Sequence, residues 1–284
     1  MPVDPSALAQ FIQDAGRVTV LTGAGVSTAS GIPDYRDRDG NWRHPKPVQF
    51  ADFLRHDRTR RRYWARSFAG WRRVRDARPN RAHLALAELE SAGWVQQLIT
   101  QNVDGLHQRA GHRHVIDLHG RLDEVRCLGC DARLPRDAWQ DRLATSNPDW
   151  HTMVHELRPD GDADIGAAAE RRFIVPGCPA CNGIVKPDVV FFGEAVPRER
   201  VANATAAVLD SGALLVAGSS LVVFSGFRFA RLAADNGLPF AIVNQGGTRA
   251  HDLATVTIDG DCGEVLWATA ERLGSSPEQA GIAS

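Results

Sequence analysis

Gly23-Ala24-Gly25-Val26-Ser27-Thr28-Ala29-Ser30-Gly31-Ile32-Pro33-Asp34-Tyr35-Arg36 follows directly on the apolar, β-branched run Val18-Thr19-Val20-Leu21-Thr22. Such a run predicts a buried strand of a parallel sheet. Glycines placed after it let the backbone come close to a diphosphate, and a helix N-terminus behind them favours the negative charge. The usual dinucleotide fingerprint is Gly-x-Gly-x-x-Gly, but here Ser27-Thr28 stand where the third glycine should come. The continuation to Asp34 and Arg36 puts an acid and a guanidinium just beyond the turn.

Working outward, helical patterns occur at 5–15, 55–78, 80–90, 197–210, 225–236 and 262–273. Strand-like runs occur at 95–100, 115–118, 188–192, 213–217 and 240–243. Strand and helix alternate, which predicts an α/β fold with a doubly wound parallel sheet, Rossmann-like, carrying a smaller zinc-binding and helical module. On this reading residues 1–54, 80–120 and 186–274 are three parts of one Rossmann-like domain. Residues 55–79 are a helical insertion, 121–185 a zinc-binding module, and 275–284 a frayed tail.

A chain of 284 residues can bury a full core. Its net charge of −1 argues against coating nucleic acid, which requires neutralising phosphates. No apolar run approaches the ~20 residues of a membrane span, and the first residues show neither a signal peptide nor an Arg-rich address. The expectation is a cytoplasmic, monomeric protein with no membrane or nucleic-acid partner. In the segment 55–78, Tyr63, Trp64, Phe68 and Trp71 recur at helical spacing among arginines, so one apolar stripe and one solvated basic face are expected.

Four of the five cysteines form the pairs Cys127-x-x-Cys130 and Cys178-x-x-Cys181. Two such knuckles supply the tetrahedral sulfur set that zinc prefers, and four thiolates leave no open position, so the metal is expected to be structural. The fifth, Cys262, reads as an inert small residue whose backbone could line a cleft. Each strand ends in small or polar residues: Thr22-Gly23, Thr100-Gln101-Asn102, Leu118-His119-Gly120, Gly218-Ser219-Ser220 and Asn244-Gln245-Gly246. Ligands of open α/β sheets bind outside the carboxyl ends of the strands, so these five ends predict a site. Asn102 and Asp104 can either cap the next helix or serve that site. His119 stands where a general base would be expected, with His107 its nearest rival.

Taken in order, these motifs, with Lys186-Pro187-Asp188-Val189-Val190-Phe191-Phe192-Gly193-Glu194 and Gly218-Ser219-Ser220-Leu221, resemble those of the sirtuin (Sir2) family of NAD-dependent protein deacylases. The stretch 218–228 looks like the class II branch, which includes the mitochondrial sirtuin four type. Many sirtuins have Thr in the middle of the Gly-Ser-Ser triplet and a proline further on; this chain has Ser219 and Phe224-Ser225.

The resemblance implies that Gly23, Ala24, Gly25, Ser27, Asp34, Tyr35 and Arg36 hold the diphosphate and nicotinamide end of NAD. Gln101, Asn102, Val103 and Asp104 would line the ribose and nicotinamide pocket. Gly218, Ser219, Ser220, Asn244, Gln245, Gly246 and Cys262 would surround the adenosine half. Val190, Phe191, Phe192 and Gly193 would pair with the backbone of an acyl-lysine protein substrate. His119, with Asn102, would be catalytic, taking a proton from a ribose hydroxyl; the products would be nicotinamide, O-acyl-ADP-ribose and free lysine. Tyr63 and Arg66 match the Tyr-x-x-Arg pair that class III sirtuins use for acidic acyl chains, which puts carboxylated acyl groups ahead of acetyl. ADP-ribosyl transfer to protein is the alternative on the same site. A non-catalytic zinc-ribbon module and an NAD-dependent dehydrogenase are weaker rivals, the latter because the glycine fingerprint is broken and no ribose-binding acid is evident.

Overall fold

Strand β1 (Val18–Thr22) is buried at every position, which explains a sequence with no polar alternation: a strand covered on both faces has no wet side. The computed structural model describes residues 6–34, 47–150 and 167–274. Helix α1 (Ser6–Ala15) leads into β1. Helices α2 (Phe50–Arg55), α3 (Asp57–Asp76) and α4 (Arg81–Ser91) then precede β2 (Val95–Thr100). Helix α5 (Leu106–Arg109), β3 (Val115–Asp117), β4 (Gly120–Cys127), β5 (Arg133–Pro135), α6 (Arg136–Ser146) and α7 (Ala167–Arg172) follow. After them come β6 (Val185–Val189), α8 (Arg198–Leu209), β7 (Ala213–Ala217), α9 (Phe224–Asp235), β8 (Phe240–Asn244), β9 (Val256–Asp259) and α10 (Cys262–Arg272).

Six strands form a parallel sheet in the order β3-β2-β1-β7-β8-β9. The chain builds outward from β1 in one direction through β2 and β3, then restarts beside β1 and builds the other way. The gap between the ends of β1 and β7 is therefore the topological switch point, where α/β sheets bind ligands. Side chains of α1, α4 and α10 cover one face of the sheet, and α8 and α9 cover the other.

The expected strand at 188–192 requires correction. It runs Val185–Val189 and belongs to a second, antiparallel sheet of order β5-β4-β6. This small sheet shares a separate apolar core with α3 and α6, built on Phe53, Tyr63, Trp64, Trp71, Trp139 and Phe173. The arginine-rich helix and the cysteine region are thus one body, and that body extends past residue 185. Strand β9 is a strand the periodicity missed: it is four residues long, half-exposed and without an apolar run. Among the described residues no helix is long and apolar enough to cross a membrane.

Asn80 ties the loop after β1, on one side of the switch point, to helix α4. Its Oδ1 accepts from Ala82 N at 2.9 Å, while Nδ2 donates to Val26 O at 2.8 Å and to Ser30 Oγ at 2.9 Å. Replacing Asn80→Ala removes a cap and two further bonds, and should lower unfolding free energy by about 2–3 kcal/mol in a denaturant titration. Asn80→Asp keeps the cap and loses the donors, so its loss should fall between wild type and alanine.

Candidate functional site

All five polar strand ends converge on one cleft of ≈ 960 Å³. Gly23, Gln101, Asn102, His119, Gly218, Ser219, Ser220, Asn244 and Gln245 line it, together with Ala24, Gly25, Ser27, Asp34, Val103, Asp104 and Cys262. Gly246 is not among the lining residues; its amide donates to Asp259 Oδ1 at 3.0 Å, which turns the loop after β8. Tyr35 and Arg36 lie outside the described residues.

The glycine turn is where the backbones of two loops meet. A Cβ on Gly25 would sit 2.9 Å from Gly218 Cα, and one on Gly218, whose φ is +60°, would sit 2.5 Å from Val26 N. Gly25 N donates to Gly218 O at 2.8 Å. Any side chain here would part the loops, which is why the sequence spends glycines at 23, 25 and 218. These cradles suit a diphosphate, which asks for main-chain N–H groups and close approach.

Ser27, standing in place of a third fingerprint glycine, has a different task. Its hydroxyl donates to Asp104 Oδ2 at 2.7 Å and accepts from Asn102 Nδ2 at 3.0 Å. Asn102 Nδ2 also donates to Gly23 O at 3.0 Å. Asp104 Oδ1 accepts from Leu106 N at 2.9 Å, so capping and site duty coexist in one carboxylate. Burial pushes its carboxyl pKa up, against the hydrogen bonds that oppose the shift.

His119 follows β3 and is held at both ring nitrogens. Nδ1 lies 2.9 Å from Gln101 O and Nε2 lies 2.8 Å from Ser225 Oγ. A carbonyl only accepts, so Nδ1 carries the hydrogen. Burial lowers the imidazole pKa, against the Gln101 bond that raises it, so the neutral ring presents its lone pair at Nε2. This is the electronic state a general base needs.

His107, the rival, is not in the cleft. It belongs to a buried stack with His83 and His112, its ring centroid 4.8 Å and 5.2 Å from theirs. His107 Nε2 is 3.0 Å from Thr22 Oγ1, and His83 Nε2 is 3.5 Å from Ser27 Oγ. The stack lies beneath Ser27 and Asn102 and supports the floor of the cleft. Sequence reasoning passed over His83, although its place three residues after the cap Asn80, with Asn80 N donating to His83 Nδ1 at 3.3 Å, is a capping-box signal.

The segment Val190–Gly193 forms a wall of the cleft, continuing β6. Val190 N donates to His119 O at 2.8 Å. Phe192 O accepts from Phe50 N at 2.9 Å, and Phe192 bridges in parallel with Gln49. Beneath it the buried Lys186 donates to Val189 O at 2.6 Å and Glu194 Oε1 at 3.1 Å, while Glu194 Oε2 accepts from Phe191 N at 2.9 Å. Tyr63 lines the cleft and meets Phe191 edge-on. Arg66 is not among the lining residues, and its Nε is 2.6 Å from Glu170 Oε1.

The four cysteines gather far along the small sheet. Their sulfurs all lie within 4.8 Å of one another, with Cys127 and Cys181 at 3.4 Å and Cys130 and Cys178 at 3.8 Å. Zinc–sulfur bonds of about 2.3 Å in a tetrahedron require sulfurs just under 4 Å apart, so this cluster fits zinc. None of the four is among the cleft-lining residues, in keeping with a structural metal. Cys262 lines the cleft but is buried, and burial pushes its thiol pKa up to about 12, so it is inert.

The histidine stack makes the fold sensitive to acid. Burial holds His83 at about 3 and His107 well below the usual imidazole value. Both groups are neutral in the folded chain, whereas the unfolded chain takes up their protons below about pH 6.5. Folding free energy should therefore be undiminished above that pH. It should then fall by about 1.4 kcal/mol per pH unit for each group as pH drops toward 3. Replacing His83→Gln should remove one group's share of that slope, measured by denaturant titrations across pH.

Residues 23–225 match the Sir2 family. An NAD-dependent protein deacetylase of Bordetella bronchiseptica is 55% identical over 263 residues, spanning 93% of this chain and 96% of the relative. The human NAD-dependent protein lipoamidase sirtuin-4, mitochondrial, is 45% identical over 271 residues, spanning 93% of this chain and 86% of that protein. A solved structure of Sir2 with a p53 peptide and NAD+ superposes with a TM-score of 0.69 at 30% identity, covering 96% of this chain and 98% of the other. The strand order, the cleft at the switch point and the four-sulfur cluster agree with these likenesses, and the chain belongs to the Sir2 family.

Proposed function

We propose that this cleft removes acyl groups from protein lysine side chains at the expense of NAD, with His119 as general base. The observation that carries the reading is the neutral imidazole of His119, its Nε2 turned into the same cleft as the glycine cradle. NAD-dependent deacetylases and a lipoamidase among the relatives support the reaction class. NAD bound here supplies an electrophilic ribose carbon when nicotinamide departs.

This chain's residues do the rest. Gly23 N and Gly25 N are taken by Ala217 O and Gly218 O, so the glycines contribute close backbone approach and Ala24 the main-chain N–H offered to the diphosphate. Ser27, Asn102 and Asp104 form the floor on which nicotinamide rests, braced by the histidine stack. Ser220, Asn244 and Gln245 take the adenosine half. The wall 190–193 offers main-chain groups to an extended peptide, so recognition reads backbone more than sequence. His119 accepts at Nε2 the proton of a ribose hydroxyl, and Gln101 O steadies the resulting imidazolium through Nδ1–H.

The Arg66–Glu170 pair favours a neutral acyl chain over the carboxylated one that Tyr63 and Arg66 suggest in sequence. An acidic chain would have to compete with a carboxylate already seated in a pair only 18% and 13% exposed.

A panel of acyl-lysine peptides assayed for nicotinamide release tests the whole reading. Wild type should release nicotinamide and form soluble acyl-ADP-ribose. His119→Ala should lose ~10²–10⁴ in rate while still binding NAD. Undiminished turnover in that variant would remove His119 from the mechanism, and stable transfer of label from NAD to protein would favour ADP-ribosylation. Arg66→Met should affect acetyl and glutaryl peptides alike; a loss confined to the glutaryl peptide would restore the carboxylate clamp.

A further inference from the structure

We infer that Ser225 is a positioning residue for His119, the second jaw of a clamp that keeps the imidazole in one orientation and one tautomer with Nε2 toward the cleft. The inference rests on the reading of His119 as the base. Ser225 Oγ lies 2.8 Å from Nε2, opposite the 2.9 Å contact of Nδ1 with Gln101 O. With Nδ1–H committed to a carbonyl, Nε2 of the neutral ring accepts from the serine hydroxyl while the cleft is empty, and a ribose hydroxyl must displace that bond before giving its proton to the same lone pair. Once the ring is protonated, Nε2–H becomes a donor, and the same hydroxyl rotates to accept it. No proton leaves the serine in either state. A residue without a hydroxyl at position 225 could partner neither form.

Helix α9 is arranged for this contact. Ser225 is the second residue of the helix, past the N-cap position, which Val223 occupies with no side-chain cap. Ser225 is half-buried, next to the exposed Val222, Val223 and Phe224 on the rim of the cleft, so it joins a half-buried imidazole to the wet edge. The following residue, Gly226, clears space for the other jaw. A Cβ there would lie 2.4 Å from Gln101 Oε1, and the Gln101 amide instead reaches Ser219 Oγ at 2.8 Å and Thr22 O at 3.2 Å. The pair Ser225-Gly226 therefore holds one ring nitrogen directly and makes room for the residue that holds the other.

The charged groups around the ring are Arg200 on α8, which opposes protonation and is itself paired with Asp188 of β6 at 3.2 Å. Asp34, Asp104, Glu194, Arg249 and Asp261 face the same cleft, Glu194 paired with Lys186 at 3.0 Å. A change at Ser225 leaves all of these in place, so an altered titration reports the hydroxyl.

Ser225→Ala and Ser225→Thr, compared with wild type on an acyl-lysine peptide and NAD, test the clamp. Alanine deprives a half-buried imidazolium of its acceptor, so the acid limb of kcat/KM should move to lower pH by roughly half a unit or more. The plateau kcat should fall roughly tenfold, as expected for a base still present but poorly held. KM for NAD should stay within about twofold, since main-chain donors carry that binding, and threonine should restore both the limb and the plateau. NMR titration of the His119 ring in the unliganded protein gives the same comparison without turnover. There alanine should lower the ring's pKa and threonine should restore it. Coincident titrations for wild type and alanine, or a threonine variant that stays impaired, would overturn the clamp. Absence of nicotinamide release by wild type with a shifted ring titration in alanine would instead overturn the deacylase reading and leave the clamp standing.

Discussion

The contact between the turn after β1 and the turn after β7 is the constraint on which the rest depends. Parallel pairing of these neighbours brings their carboxyl ends to one edge, and the reversal of winding direction opens the sheet between their connections. The two loops then touch backbone to backbone, Gly25 N on Gly218 O, with no volume for a Cβ at either position. Every functional group in the cleft takes its place from that seam. Asn102 reaches Gly23 O on the β1 side of it, Gln101 reaches Ser219 over it, and Ser27 is delivered by the turn itself.

Around the seam the polar groups are layered by burial. The lowest layer is three imidazoles kept uncharged by desolvation, packed ring against ring. Above them Ser27, Asn102 and Asp104 satisfy one another, and above these stands His119, whose Nε2 meets only the half-buried Ser225 hydroxyl. The middle layer is satisfied by its own members, which fixes its geometry, whereas His107 Nδ1 in the layer below has no hydrogen-bond partner among the described residues. An acid that charges the lowest layer would disturb the two above it.

Much of this was legible in the amino-acid order. Runs at 18–22, 213–217 and 240–243 marked the parallel sheet because double burial leaves no alternation, while 95–100 carries the half-buried Gln96 and Gln97 before its apolar end. The strand ends identified the cleft because topology alone carries them there. The cysteine pairs predicted the sulfur cluster through their spacing. What stayed hidden depends on partners distant in sequence. Strand β6 reads as one more core strand, and only its pairing with β4 assigns it to the small sheet. Strand β9 shows only two apolar residues, Val256 and Ile258, on its inner face, too short an alternation to announce a strand at the edge of the large sheet. Tyr63 and Arg66 sit one turn apart on α3, yet Glu170, from another helix, decides what the arginine holds. Ser225 looks like an ordinary helix-start serine until the fold sets it beside His119.

The chain leaves the parallel sheet at Asp117 and enters the antiparallel one at Gly120, with Leu118 and His119 the two residues between them. The His119 carbonyl holds Val190 N, the first residue of the wall proposed to receive a peptide. The base and the docking strand are thus dimensioned from one peptide unit. A sliding of the wall along its own axis would carry that unit with it, so a guest strand laid on the wall and the imidazole share a common origin of measurement.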